Sequence, residues 1–269
     1  MARDKRKSRE KVVGQCALCL QTKTLQRSHL IGKAIYALNR DDENDPVMMT
    51  PERTIITSRQ MWQHLLCWNC EQLISKGGED YVSRLIQRRA DFPLLDKLNL
   101  ALHYAKEPNL VAYSGSAIGI DTEKLAYFAV SMVWRSGVGT WITLGKQTTG
   151  VSLGECEETF RKYLLGETAF PSNIAVGVTV SEDLPSRFNT FSPSTQVKSP
   201  TKTFSFLVRG LWFHVVTNPD PVFVENFCCV RSARKTILRR NCEKDLIESG
   251  AWMLSNTKLS EKLAGARLA

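Results

Sequence analysis

Leu65-Leu66-Cys67-Trp68-Asn69-Cys70-Glu71, read together with Cys16-Ala17-Leu18-Cys19, decides how the first third of this chain folds. The two Cys-x-x-Cys pairs are separated by 47 residues. Two intervening residues let a tight turn aim both sulfurs at one ion, and two such turns supply the four thiolates that a closed structural zinc site prefers. A thioredoxin-like dithiol is the competing reading, but it would need a strand-to-helix context for one pair and leave the other idle. Disulfides are not expected, because Met1–Lys11 is a charged run without the apolar stretch of a secretory signal. Of the other cysteines, Cys228-Cys229 fit apolar strand packing, whereas Cys156 and Cys242 sit at helical spacings among charged residues.

Outward from the knuckles, Thr24 to Ile31 has short-strand character and ends at Gly32, and Thr54 to Thr57 suits a second short strand. Between them, Asn39 to Pro46 is a polar, acidic loop. After Cys70, Glu71 to Lys76 reads as a helix stopped by Gly77-Gly78. A longer helix follows from Glu79 to about Arg89, with Tyr81, Val82, Leu85 and Ile86 as its apolar stripe.

From about residue 92 no metal-type spacing recurs. Asp121 is placed to cap a helix that buries Leu125, Phe128, Ala129, Met132 and Val133, and Leu153 to Leu165 predicts another, stopped by Gly166. Ile174 to Val180 is strand-like, Ser181 to Thr201 reads as a long mobile loop, and Thr203 to Val216 as two strands joined near Arg209-Gly210. The last 35 or so residues are expected to be mostly helical. The resulting division is a basic tail (1–13), a small zinc-stapled unit (14–92) and a larger α+β domain (93–269), with the mobile loop at 181–201.

The 269 residues carry a formal net charge of +9 and are 43% hydrophobic, which excludes global disorder. No run approaches the roughly 18 apolar residues of a membrane span, so a cytoplasmic protein without a membrane partner is expected. The charge gathers at the two ends, and Arg234, Lys235, Arg239 and Arg240 fall within one expected helix. With Arg84, Arg88 and Arg89 they are candidates for contact with a polyanion such as nucleic acid.

The order of the elements is a Cys-x-x-Cys knuckle, a strand carrying Ser28-His29, a variable loop, and Leu-Leu-Cys-x-x-Cys-Glu opening a helix. This order resembles the HNH endonucleases of the ββα-metal (His-Me finger) superfamily in their zinc-bearing form, over about residues 14–76. It is also similar to small prokaryotic HNH-like proteins with Ser-His on the strand. The resemblance implies His29 as the general base that activates water and Glu71 as a ligand for a catalytic Mg²⁺ or Mn²⁺. It further implies double-stranded DNA as the partner and, at the level of the family, a role in bacterial or phage defence. Ser28 stands where the family commonly has a second metal ligand, Gly32 where a proline is frequent, and the middle Asn has no counterpart. Gln60, Gln63 or His64 is available to orient His29.

Other zinc chemistries fail on spacing. Neither His29 nor His214 begins the His-x-Glu of a nucleobase deaminase, and the His-Glu-x-x-His of a zinc protease is absent. The expectation is therefore a metal-dependent endonuclease. Its alternative is an inactive zinc-stapled module that binds nucleic acid or protein. Oligomeric state is left open.

Overall fold

The computed structural model describes residues 11–39, 47–49, 53–143, 146–148, 150–246 and 258–259. Residues 1–10 of the basic tail, the acidic stretch 40–46 and most of the chain after 246 lie outside the described residues. Among the described residues no helix is long and apolar enough to cross a membrane.

The amino-terminal unit is built on two antiparallel pairings. Strand β1 (Val13–Gln15) pairs with β2 (Thr22–His29) across the first knuckle, and β2 pairs in turn with β5 (Trp62–Cys67), placing His29 opposite Trp62 and Leu25 opposite Cys67. Between β2 and β5 run helix α1 (Lys33–Leu38) and strands β3 (Val47–Met49) and β4 (Arg53–Ile56). Helix α2 (Trp68–Ile74) starts at the residue after β5; the strand expected at Thr54 to Thr57 is β4, while β5, the strand that leads into the helix, was not expected.

The helix does not stop at Gly77-Gly78. It continues through a π-helical turn (Ser75–Glu79) into α3 (Asp80–Val82), and ends where a second helix was expected to be starting. The glycines serve close approach instead. A Cβ on Gly77 would stand 2.3 Å from the Tyr127 ring, and one on Gly78 would stand 2.7 Å from the backbone nitrogen of Phe128. Leu85 and Ile86 remain buried, but from a turn.

The larger unit adds α4 (Pro93–Asn99), β6 (Ala105–Glu107), β7 (Leu110–Ser114), α5 (Thr122–Val138), β8 (Trp141–Thr143), β9 (Lys146–Thr148) and α6 (Cys156–Leu165). There follow β10 (Ile174–Ser181), α7 (Leu184–Phe188), β11 (Thr190–Lys198), β12 (Thr201–Val208), β13 (Leu211–Thr217), α8 (Pro221–Phe227) and β14 (Thr236–Arg240). Strand β15 (Lys258–Leu259) pairs with β4. Seven strands form one sheet in the order β11-β12-β13-β10-β14-β7-β6, antiparallel except where β10 meets β14. Helix α5 is buried along most of its length against this sheet and α6, and is capped by Asp121, whose Oδ1 accepts from Lys124 N at 3.1 Å. Leu66 and Ile74 of the small unit belong to the same hydrophobic core as Phe128, Val176 and Phe206.

Three expectations need correction. Residues 181–201 are not a loop but hold the end of β10, α7 and β11. The Ser, Thr and Pro content suits β11 because it is an edge strand with one face in solvent. The four carboxy-terminal basic residues share no helix: Arg234 and Lys235 lie in a turn, and Arg239 and Arg240 end β14. Cys228 and Cys229 are buried as expected but belong to no strand of their own: directly after α8, Cys228 forms a single antiparallel bridge with Gly177 of β10, and Cys229, in the turn that follows, donates from N to Val176 O at 2.8 Å.

Because the α2–α3 helix meets α5 backbone to backbone at Gly78, Gly78→Ala is expected to destabilise the fold by about 2–3 kcal/mol, the range for an overpacked core. Urea unfolding of the two proteins side by side measures it.

Candidate metal centre and the adjoining histidine site

Cys16 and Cys19 come from the turn between β1 and β2, Cys67 ends β5, and Cys70 lies in the first turn of α2. Ala17 N donates to Leu65 O at 3.1 Å, fastening the first knuckle to the strand that carries the second. The four sulfurs all lie within 4.8 Å of one another, and Cys19 Sγ stands 3.9 Å from Cys67 Sγ. A tetrahedron with zinc–sulfur bonds of about 2.3 Å has edges of about 3.8 Å, so this group can hold a zinc ion. Cys67 N lies 3.3 Å from Cys16 Sγ, the direction of donation that favours a thiolate. The Cys16 thiol is held down at about 4 by a hydrogen bond from Cys70 and by backbone N–H groups, while the same bond and burial push Cys70 far up. Four thiols so close cannot all ionise without a cation among them.

Beside the sulfurs, Ser28 is fully buried; its Oγ donates to Glu71 Oε1 and accepts from Leu66 N at 3.0 Å. Residues 43 apart in the chain are thereby joined. Burial pushes the Glu71 carboxyl up, partly offset by the Ser28 hydroxyl. His29 is half-buried, with the Tyr36 ring centroid 6.2 Å away. Its imidazole is held below the usual histidine value, first by burial and then by the charges of Lys33 and Arg135.

Two members of this cluster were not foreseen. Arg135, only 1% exposed on α5, donates from Nη1 to the His29 carbonyl at 2.9 Å and from Nη2 to Glu79 Oε1. Glu79 closes the π-helical turn, and its carboxylate lies over Gly32, where a Cβ would be 3.3 Å from the carboxyl carbon. An arginine inside the apolar run Val133-Trp134-Arg135 was the signal for a buried anion, and Glu79 is that anion.

The other candidates disperse. Gln63 Oε1 accepts from Thr140 N at 3.2 Å and His64 packs edge-on to Trp62, so neither is engaged with His29. Trp62 and Trp68 are 40% and 61% exposed. Arg84, Arg88 and Arg89 are exposed. Arg234 stacks on Tyr104, Lys235 meets Glu123 at 3.3 Å, Arg239 meets Glu182 at 2.7 Å, and Arg240 meets Asp245 at 2.5 Å. Among the described residues the four cysteines are the one group of three or more His, Cys, Asp or Glu side chains spaced for a metal ion. Compared with protein families, curated proteins and solved structures, the chain matches none of them.

Cys70→Ser is expected to lower bound zinc well below one per chain and to unfold the amino-terminal unit, because metal ligation supplies on the order of 10 kcal/mol to such sites. Zinc analysis alongside thermal melting checks this. For His29, a lowered pKa means that the folded state holds the neutral ring more strongly than the unfolded chain does. The corresponding stability is present above about pH 6.5 and is lost as pH falls below it. An NMR titration of the His29 C2 proton should give a midpoint below 6.5.

Proposed function

We propose that the chain is an endonuclease of the ββα-metal kind, hydrolysing phosphodiester bonds in DNA. The observation that carries this reading is the Ser28–Glu71 contact. The resemblance assigns those two positions to one catalytic metal, and they meet across 43 residues, with His29 next in the chain. A hydroxyl and a carboxylate are hard oxygen donors of the kind Mg²⁺ and Mn²⁺ take, with water and substrate phosphate completing the shell. They are the residues that would hold such an ion, which when bound supplies charge stabilisation to the phosphate.

The chain's own groups account for the proton transfer. His29, kept neutral near pH 7, takes a proton from the attacking water. Arg135 fixes the backbone behind the ring. Arg84, Arg88 and Arg89 are exposed and are candidates for contact with nucleic-acid phosphates.

A second reading, a zinc-stapled module that binds without cutting, is favoured by one feature of the same site. Glu71 is satisfied by Ser28 and Glu79 by Arg135, so both carboxylates already have partners.

Supercoiled plasmid incubated with purified protein and Mg²⁺ or Mn²⁺ separates the two. The nuclease reading expects metal-dependent nicking that falls by about 10²–10⁴ in His29→Ala while zinc content is unchanged. Zinc-loaded wild-type protein that cuts nothing overturns it in favour of the binding module.

A further inference from the structure

Side chains along a strand alternate between its faces. Ser28 and Gln63, paired across β2 and β5, turn inward, to Glu71 and Thr140. The pairs on either side, Arg27 with His64 and His29 with Trp62, therefore share the other face. On that face the Arg27 guanidinium carbon stands 4.1 Å from the Trp62 ring centroid, and the His64 ring meets Trp62 edge-on at 5.6 Å. Arg27 is exposed, and among the described residues no carboxylate pairs with it. Lys33, whose charge His29 feels, is exposed beside the same strand end.

Among the described residues, a large aromatic ring that is 40% exposed, covered by a guanidinium with no carboxylate partner and set directly across the strands from His29, offers a π surface and nearby cations. Unpaired nucleobases are bound by such surfaces, because every base has a π face and its phosphates favour nearby Arg and Lys. We propose that Arg27 and Trp62 form a stacking platform for an unpaired nucleobase adjacent to the phosphodiester presented to His29. This deepens the function proposed above and rests on its nucleic-acid partner, not on its hydrolytic step.

The test compares binding of an end-labelled single-stranded oligodeoxynucleotide with that of an abasic strand of equal length, by fluorescence anisotropy without added divalent cation so that the strands stay intact. Wild-type protein is expected to favour the base-bearing strand about tenfold or more, the scale of one stacked base. Trp62→Ala should abolish that preference while leaving abasic binding within about twofold, since phosphate contacts are untouched. Trp62→Leu, which keeps apolar bulk without a π face, should lose it as fully and covers the case in which the alanine variant sheds zinc. Arg27→Ala should weaken binding to both strands. Equal affinity of the wild type for both strands, no binding to either, or a preference that survives in Trp62→Leu overturns the proposal. Base preference without plasmid cutting would sink the hydrolytic reading and leave the platform standing, and cutting without base preference would do the reverse.

Discussion

Everything in the amino-terminal unit hangs on four sulfurs arriving at one point. The short strands and helices of residues 13–74 bury too little apolar surface among themselves to hold a loop-rich segment of about 60 residues in place. The convergence of Cys16, Cys19, Cys67 and Cys70 closes that segment at both ends, fixing β2 beside β5 and starting α2 where β5 finishes. Ser28 and Glu71 can meet only because the strand end and the helix start are pinned to one centre, and His29 inherits its position from the same constraint.

The second constraint comes from the far side. Arg135 projects from a helix of the larger unit and is shared between the His29 carbonyl and Glu79. A buried ion pair of this kind gives little net stability against a well-packed apolar substitute, yet removing one partner strands a charge. Its effect here is geometric: the histidine site has the four-cysteine cluster on one side and a sheet-covering helix on the other. The π-helical turn is what brings Glu79 round to the face used by Glu71 eight residues earlier, and Gly77 and Gly78 let that turn lie against α5.

What the sequence disclosed was local. Spacing alone predicted the cysteine cluster, Asp121 and Gly166 marked helix ends, and the runs at 174–180 and 203–216 became β10, β12 and β13. What it hid depends on partners distant in the chain. Gly77-Gly78 has the same letters whether it stops a helix or admits a neighbouring one. The Ser- and Pro-rich stretch after Ser181 lacks a two-sided apolar pattern because β11 is an edge strand. The basic cluster near the carboxy terminus suggested a helical surface, but Thr236-Ile237-Leu238 is the buried middle of a sheet strand and the charges around it find local acids or rings. The mixed α+β character and the cysteine cluster are visible in the chain and in the fold, while the chemistry assigned to them is carried by the proposal above.

The place of β14 has a consequence for how the molecule comes together. It lies between β10 and β7, so the β6–β7 hairpin, formed by residues 105–114, is joined to the rest of the sheet only through a strand more than 120 residues later. During synthesis the hairpin and the all-buried β10 must wait for that strand, exposing unpaired edges in the meantime. A nascent or clipped chain ending before residue 236 would therefore lack the middle of its sheet, a state prone to pairing with other chains, even though every ligand of the metal centre had already been made.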